Sequence, residues 1–309
     1  GAAPGFPGIL RVVRYRILGH QLAGHRHHMA YLQALRVVLA VPPVRVAAQA
    51  EPQVAVELRS AEYAQRREAL YGWIRNEGVF TWDSMYGEEY ALAEVHPISG
   101  NLREELRMSS ELLGAVFSRT ALVAMQSGKE LLTELGLPAA VWNAVRSSLP
   151  ELLPTLIGRF DFAATANGLK LLEFNAETPT DVVEAYYTNG KVCEWFGVTD
   201  PNAEMNSHLR QAFLRTTELY RKKGFDCERM IFSSVDWHEE DAGTTRYLLA
   251  QSGLKADFVP LSQLRVFEDR VQIWDGVVHK PVDWMYRLHL LEQMAERAGD
   301  LNRVAEIRY

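Results

Sequence analysis

The chain is expected to be an α/β protein with at least one parallel strand pair, and three observations lead there. Two short apolar runs, "RMIFSSV" (Arg229–Val235) and "ADFVPL" (Ala256–Leu261), flank "EDAGTTRYLLAQSGL", a segment of helical length that closes on Gly253. Strand, helix and strand at this spacing form a βαβ unit. The stretch "GRFDFAATANGLKLLEFNAETPTD" (Gly158–Asp181) alternates apolar and polar residues on two arms around Asn167-Gly168, which is the period of a β-hairpin. Leu112–Met125, "LLGAVFSRTALVAM", carries a wide apolar stripe at helical spacing.

The remaining elements follow in order. Residues 57–75 read as a helix of mixed charge, and the aromatic-rich Gly78–Pro97 as loop and short strand. A helix starts after Ser99-Gly100, and another at Pro138, where a proline suits a first turn. After the hairpin, a helix is expected from about Thr180 to Phe196, with Asp181 and Glu184 favourably placed at its positive end. A further helix spans 202–223. "RVQIWDGVVHKPVDWMYRL" (Arg270–Leu288) supplies a hairpin and a last strand, so the βαβ region runs over about 229–290.

Composition narrows the function. Residues 1–50 contain no Asp, Glu, Lys, Ser or Thr, but six arginines (Arg11, Arg14, Arg16, Arg26, Arg36, Arg45) and four histidines. This stretch carries +6, and the total of −6 leaves −12 for the rest. It is an atypical Arg/His-rich extension with no expected catalytic role, and residues 51–309 form the working region. A mild net negative charge excludes general nucleic-acid binding, which needs a basic face. The two cysteines, Cys193 and Cys227, make neither a disulfide framework nor a zinc cluster, so a cytoplasmic location is expected. No apolar run has the length that crosses a bilayer, so no membrane partner is expected.

The hairpin carries the chemistry. Phe160 and Phe162 share one face of the first arm, and Arg159 and Asp161 the other; Leu172 and Phe174 oppose Glu173 and Asn175 on the second. A two-residue loop at Asn167-Gly168 would put the polar sets on opposite sides. A three-residue loop, Ala166 to Gly168, sets Asp161 against Glu173 and Arg159 against Asn175, keeps the reverse apolar, and uses Gly168 in the left-handed conformation. Two carboxylates facing each other must then be neutralised, by Arg159 or by a divalent cation.

"GRFDF…GLKLLEFNAETPT" resembles the glutathionylspermidine synthase family, whose members carry an R-x-D-F strand and an E-(F/Y)-N-A-D-(T/S)-x-(T/S) strand; Glu177 stands where aspartate is usual. The likeness extends with weaker motifs from about Gly78 to Arg297. It implies an incomplete, circularly permuted ATP-grasp-like fold with a pre-ATP-grasp, Rossmann-like βαβ region. It further implies an ATP- and magnesium-dependent carboxylate–amine ligase that forms an amide through an acyl phosphate. By position, Asp161, Glu173 and Asn175 match the magnesium ligands, and Asp161 with Arg159 the nucleotide-phosphate contacts. Arg159 matches the arginine on the transferring phosphoryl group. Thr178 and Thr180 match hydroxyls near the peptide substrate. In "DWHEED" (Asp236–Asp241), Glu239 and Glu240 match acids that hold the amine. The implied partners are a carboxylate peptide such as glutathione and an amine such as a polyamine.

Family members continue into a lysine-bearing nucleotide-grasping lobe. None of the seven lysines here lies in a phosphate-gripping context, so the chain is expected to be part of a longer ligase, with activity expected of the intact version. The alternative is a non-catalytic module that binds magnesium or nucleotide phosphate. Either way residues 1–50 are expected to be dispensable. Deleting them should leave the thermal midpoint of the remainder nearly unchanged, whereas a fall of several degrees would show that they pack into the core.

Overall fold

The computed structural model describes residues 61–147, 156–165, 167–267 and 270–290. The 1–50 extension therefore lies outside the described residues, as does Ala166 of the hairpin loop. The architecture is mixed α/β. Helix α1 (Ala61–Arg75) leads into a small hairpin, β1 (Ser84–Met85) and β2 (Glu88–Glu89), then α2 (Gly100–Gln126), α3 (Lys129–Glu134) and α4 (Trp142–Ser147). The long hairpin follows, β3 (Arg159–Thr165) and β4 (Gly168–Asn175), and then α5 (Asn189–Phe196) and α6 (Met205–Lys222). The second half is β5 (Met230–Ser234), α7 (Glu239–Ser252), β6 (Ala256–Phe258), β7 (Leu264–Phe267), β8 (Arg270–Trp274), β9 (His279–Pro281) and β10 (Trp284–Leu288).

The parallel pair expected from sequence is present and gains a third strand. β5 lies between β10 and β6, parallel to both. All five of its residues are buried, as befits a parallel strand covered on both faces. Phe232 turns to a cluster with Phe213, Trp284, Leu248, Phe80 and Trp82. Ile231, of opposite parity, turns to Val259, Leu264 and Val271 beneath the antiparallel β7–β8–β9 meander. Helix α7 starts at the N-cap His238, whose side chain accepts from the Asp241 N–H, and stops at Gly253, whose φ of 70° is left-handed.

Ser99 caps α2 through its side chain, as the sequence suggests. Pro138 stands one place earlier than expected, before a 3-10 turn (Ala139–Val141) that leads into α4. The helix expected from Thr180 opens instead with a π turn, Glu184–Thr188. The wide stripe of α2 is only partly used. Phe117 packs on Phe174 and Phe160, with ring centroids 4.7 and 6.0 Å apart, yet Met108, Leu112, Val116 and Val123 are each more than half exposed.

One close approach ties this framework to the acids described below. Gly243 of α7 lies so near Trp82 that a Cβ would come within 2.2 Å of the indole ring, and the buried Trp82 cannot retreat without giving up its own bond to Glu184. Gly243→Ala should therefore destabilise the protein by about 1–3 kcal/mol. Gly114→Ala, in α2 with nothing within 4 Å, should be neutral or stabilise by up to about 1 kcal/mol. Thermal melts of the two variants check the contrast; equal effects would mean that the Trp82 contact is not tight.

Candidate active site

The hairpin register decides where its polar side chains point. Arg159 pairs with Asn175, Phe160 with Phe174 and Asp161 with Glu173, the register expected from the apolar pattern. Beyond Asp161 the register shifts by one, and the strands close with Thr165 opposite Gly168. The loop is therefore a residue shorter than expected, and a bulge at Leu172 restores the parity. The bulge also corrects a side chain: Leu172 is 57% exposed and does not join the reverse face. Phe160 and Phe174 do, stacked with centroids 4.1 Å apart. Gly168 takes a φ of 87°, as a tight closure requires.

On the polar face Arg159 is the hub. Its Nε and Nη2 donate to the two carboxylate oxygens of Asp161 at 2.9 and 3.2 Å. Its Nη1 lies 3.2 Å from Asp181 Oδ2 and 3.5 Å from Thr180 Oγ1. Burial works against the charged guanidinium, but Asp161, Asp181 and Glu173 outweigh it and hold its pKa above the ordinary arginine value. Glu173 is exposed. The Asn175 carboxamide serves the following loop: its oxygen accepts from the Glu177 and Thr178 N–H groups, and its nitrogen donates to the Thr178 carbonyl. Glu177 pairs with Arg287 at 2.8 Å.

The network then continues into a region of which the sequence singles out Thr180 and Glu240, but neither Asp181 nor Glu184, as site residues. Thr180 lies beside Glu240, from the first turn of α7, and favours its charged form. Asp181, Glu184 and Glu240 each offer a carboxylate oxygen, all within 4.8 Å of one another. Asp181 holds a left-handed φ of 68°, rare for a residue with a side chain, and Glu184 opens the π turn, a feature common at functional sites. Trp82 Nε1 donates to Glu184 Oε1 at 2.6 Å, and the Tyr90 hydroxyl lies 3.2 Å from Glu184 Oε1 and 3.4 Å from Asp181 Oδ1. Glu184 Oε2 is buried and has no hydrogen-bond partner among the described residues. Burial, with Glu240 and Asp181 adding to it against the Trp82 bond, pushes the Glu184 carboxyl up to about 7. Burial raises Glu240 as well. Glu239, the other acid expected to hold the amine, is exposed and lies outside this cluster.

These acids gather at the carboxyl end of β5, where α/β proteins place their ligands. A recess of about 570 Å³ bounded by Arg221, Cys227, Met230 and Lys255 opens at the other end of that strand. Cys193 and Cys227 are buried, and burial raises both thiols, which suits inert residues.

Three segments thus bring hard oxygen donors and one guanidinium to a single locus. The chain belongs to the family described as glutathionylspermidine synthase preATP-grasp, whose model matches residues 62–307. It is also similar to a Haemophilus influenzae protein named "Putative acid--amine ligase", at 22% identity over 229 residues, 73% of this chain and 55% of that protein. The chain thus spans about half the length of that relative. No helix among the described residues is long and apolar enough to cross a membrane.

The raised Glu184 carboxyl has a stability consequence with a definite sign. A group whose folded pKa lies above its unfolded value contributes stability that is complete below the unfolded value and lost as pH rises through the folded one. For Glu184 that window runs from 4.5 to about 7. Glu184→Gln keeps an oxygen for Trp82 and presents an amide to the neighbouring carboxylates. The variant should match the unaltered protein near pH 4 and exceed it by about 2 kcal/mol at pH 8, the shift being discounted for partial exposure. Urea melts at the two pH values check this; a difference independent of pH would show that Glu184 ionises normally.

Proposed function

We propose that this chain is the part of an ATP-dependent carboxylate–amine ligase that holds the reacting groups, in a fold of circularly permuted ATP-grasp type with a Rossmann-like βαβ region. The observation that carries the reading is the double hold of Arg159, on Asp161 of the hairpin and on Asp181, which belongs to the cluster with Glu184 and Glu240. It supports a phosphate-handling role for Arg159 and Asp161 next to acids suited to an amine. Family membership and the relative's name support the same chemistry.

In this reading Asp161, Glu173 and Asn175 would hold Mg²⁺, and their hard oxygens suit it. The ion, when bound, supplies neutralisation of phosphate charge. Arg159 would release part of its hold on Asp161 and contact the transferring phosphoryl group, where a fixed guanidinium stabilises developing charge. A substrate carboxylate, near Thr178 and Thr180, attacks the γ-phosphorus of ATP; the bond to ADP breaks and an acyl phosphate forms. The amine then attacks the acyl carbon and inorganic phosphate leaves. Glu240, with Glu239 further out, would hold the amine as an ammonium group. Glu184, titrating near neutrality, would take up the proton that the attacking nitrogen loses. A glutathione-like peptide and a polyamine fit these roles. Residues 1–50 are given no role in this reading, on their composition alone.

A second reading is a magnesium or nucleotide-phosphate binding module without catalysis, for which the facing Asp161 and Glu173 beside Arg159 would suffice. Two measurements separate the readings. Magnesium should raise the thermal midpoint by mass action, and Asp161→Asn combined with Glu173→Gln should remove that rise; no rise in the unaltered chain would contradict the metal assignment. Given ATP, magnesium, glutathione and spermidine, an active ligase releases one phosphate for each amide formed. Stabilisation by magnesium without phosphate release would leave the binding module.

A further inference from the structure

Helix α2 is apolar on two sides. Inward, Phe117 packs on Phe160 and Phe174 of the long hairpin. Outward, Met108, Leu112, Val116 and Val123 are 51–68% exposed. At about 100° per residue these four fall within an arc of about 80°, so they form one row along the helix. The helix has 27 residues and is about 40 Å long, and the row covers about 22 Å of it. Apolar side chains scattered singly over a surface are ordinary, whereas a continuous row marks a contact with something else.

The charges on the same arc are arranged about the middle of the row. Glu105 stands seven residues before Leu112 and Arg119 seven after, while Met108 and Val116 stand four before and four after. Both charged residues are exposed, and neither forms an ion pair among the described residues. On the flank, by contrast, Arg107 pairs with Glu104 and Glu111 of its own helix. A row with opposite charges at equal distances from its centre matches a reversed copy of itself.

We propose that the outer face of α2 is a self-association surface, on which two copies of the chain pair antiparallel about a two-fold axis at Leu112. Glu105 then meets Arg119 of the partner subunit, Met108 meets Val116 of the partner subunit, and Leu112 meets Leu112 of the partner subunit at the axis. A parallel pair would set like charges against each other. A shift of the antiparallel register by one turn either way would lay Glu105 on an apolar side chain and leave Arg119 without an acid, and a charge buried without its partner is costly. The pairing also braces the candidate site. Glu105 lies at the hairpin turn, its Oε1 3.8 Å from where a Cβ of Gly168 would stand, and Phe117 supports the stacked Phe160 and Phe174. Fixing α2 in an interface therefore steadies the hairpin that rests on it.

The test is sedimentation equilibrium of the full chain. The unaltered protein is expected to be dimeric at micromolar concentration and to dissociate on dilution. Leu112→Glu sets two carboxylates together at the axis and should weaken the dimer about a hundredfold or more. Because Leu112 is exposed, that variant should keep the helical circular dichroism of the unaltered chain. Glu105→Arg and Arg119→Glu should each weaken self-association about tenfold, since each replaces two exposed ion pairs by two repulsions. Combining the two changes in one chain should restore the dimer, and mixing the two single variants should give mixed dimers. Amides of the hairpin strands should exchange hydrogen more slowly in the dimer than after dilution. A chain that is monomeric at every concentration would overturn the proposal and assign the row to another segment or another protein. A dimer untouched by Leu112→Glu would overturn it equally, by placing the interface elsewhere. A combined exchange that fails to recover what the single changes lose would overturn the antiparallel register.

Discussion

The site depends on the guanidinium of Arg159. It holds Asp161 through two hydrogen bonds and Asp181 through an ion pair, and the three side chains are a third exposed or less. Asp161 belongs to the hairpin and Asp181 to the turn that opens the helical segment, so the ion pair joins two structural elements. None of the residues of α2, the helix beneath the hairpin, is fully buried. An isolated two-stranded hairpin is marginal in water, and this one rests on a few rings and on Arg159. Removing the guanidinium would leave partly desolvated carboxylates facing one another, a costlier state than an exposed broken ion pair. The same group that orders the metal-free site is the one proposed to meet the phosphoryl group, so binding of a cation would exchange partners within a network already in place.

The acids are placed by the core. Trp82 is buried among Phe80, Leu248 and their neighbours, and its indole nitrogen reaches out to Glu184. Gly243 lets the helix α7 lie against that ring, and the same helix delivers Glu240 from its first turn. Asp181 and Glu184 come from the turn that opens the helical segment and Glu240 from α7, and the packing of Trp82 against Gly243 brings the two together. Holding three carboxylates together in a half-buried place costs stability, which is visible in the raised Glu184 and Glu240. Such tension suits the amine-holding role proposed for these acids.

Much of the fold was legible because period and punctuation are local. Alternation revealed the hairpin and placed Asp161 against Glu173; the βαβ unit announced itself by two apolar runs around a helix that ends on Gly253. The bulge at Leu172 was not legible, since a shorter loop plus a bulge produces the same parity at the functional end as a longer loop. Asp181 and Glu184 read as ordinary acids at a helix start, because the sequence does not say that a left-handed residue and a π turn aim them at Glu240. Trp82 and Tyr90 lie roughly a hundred positions upstream of the carboxylate they serve, a separation no local pattern bridges. The broad stripe of α2 reads as core, yet among the described residues half of it has no cover. Its apolar period fixes the helix and one buried side; it cannot say what faces the other.

The central claim is that the hairpin face and the acid cluster are one site, joined through Arg159 and Asp181. A double-mutant cycle on stability addresses it directly, with Arg159→Gln, Asp181→Asn and the double variant compared by urea denaturation at neutral pH and low salt. A coupling free energy of about 1–3 kcal/mol between the two positions is expected. Additivity to within about 0.3–0.5 kcal/mol would contradict it, and would leave the hairpin and the acids as neighbours that do not act together.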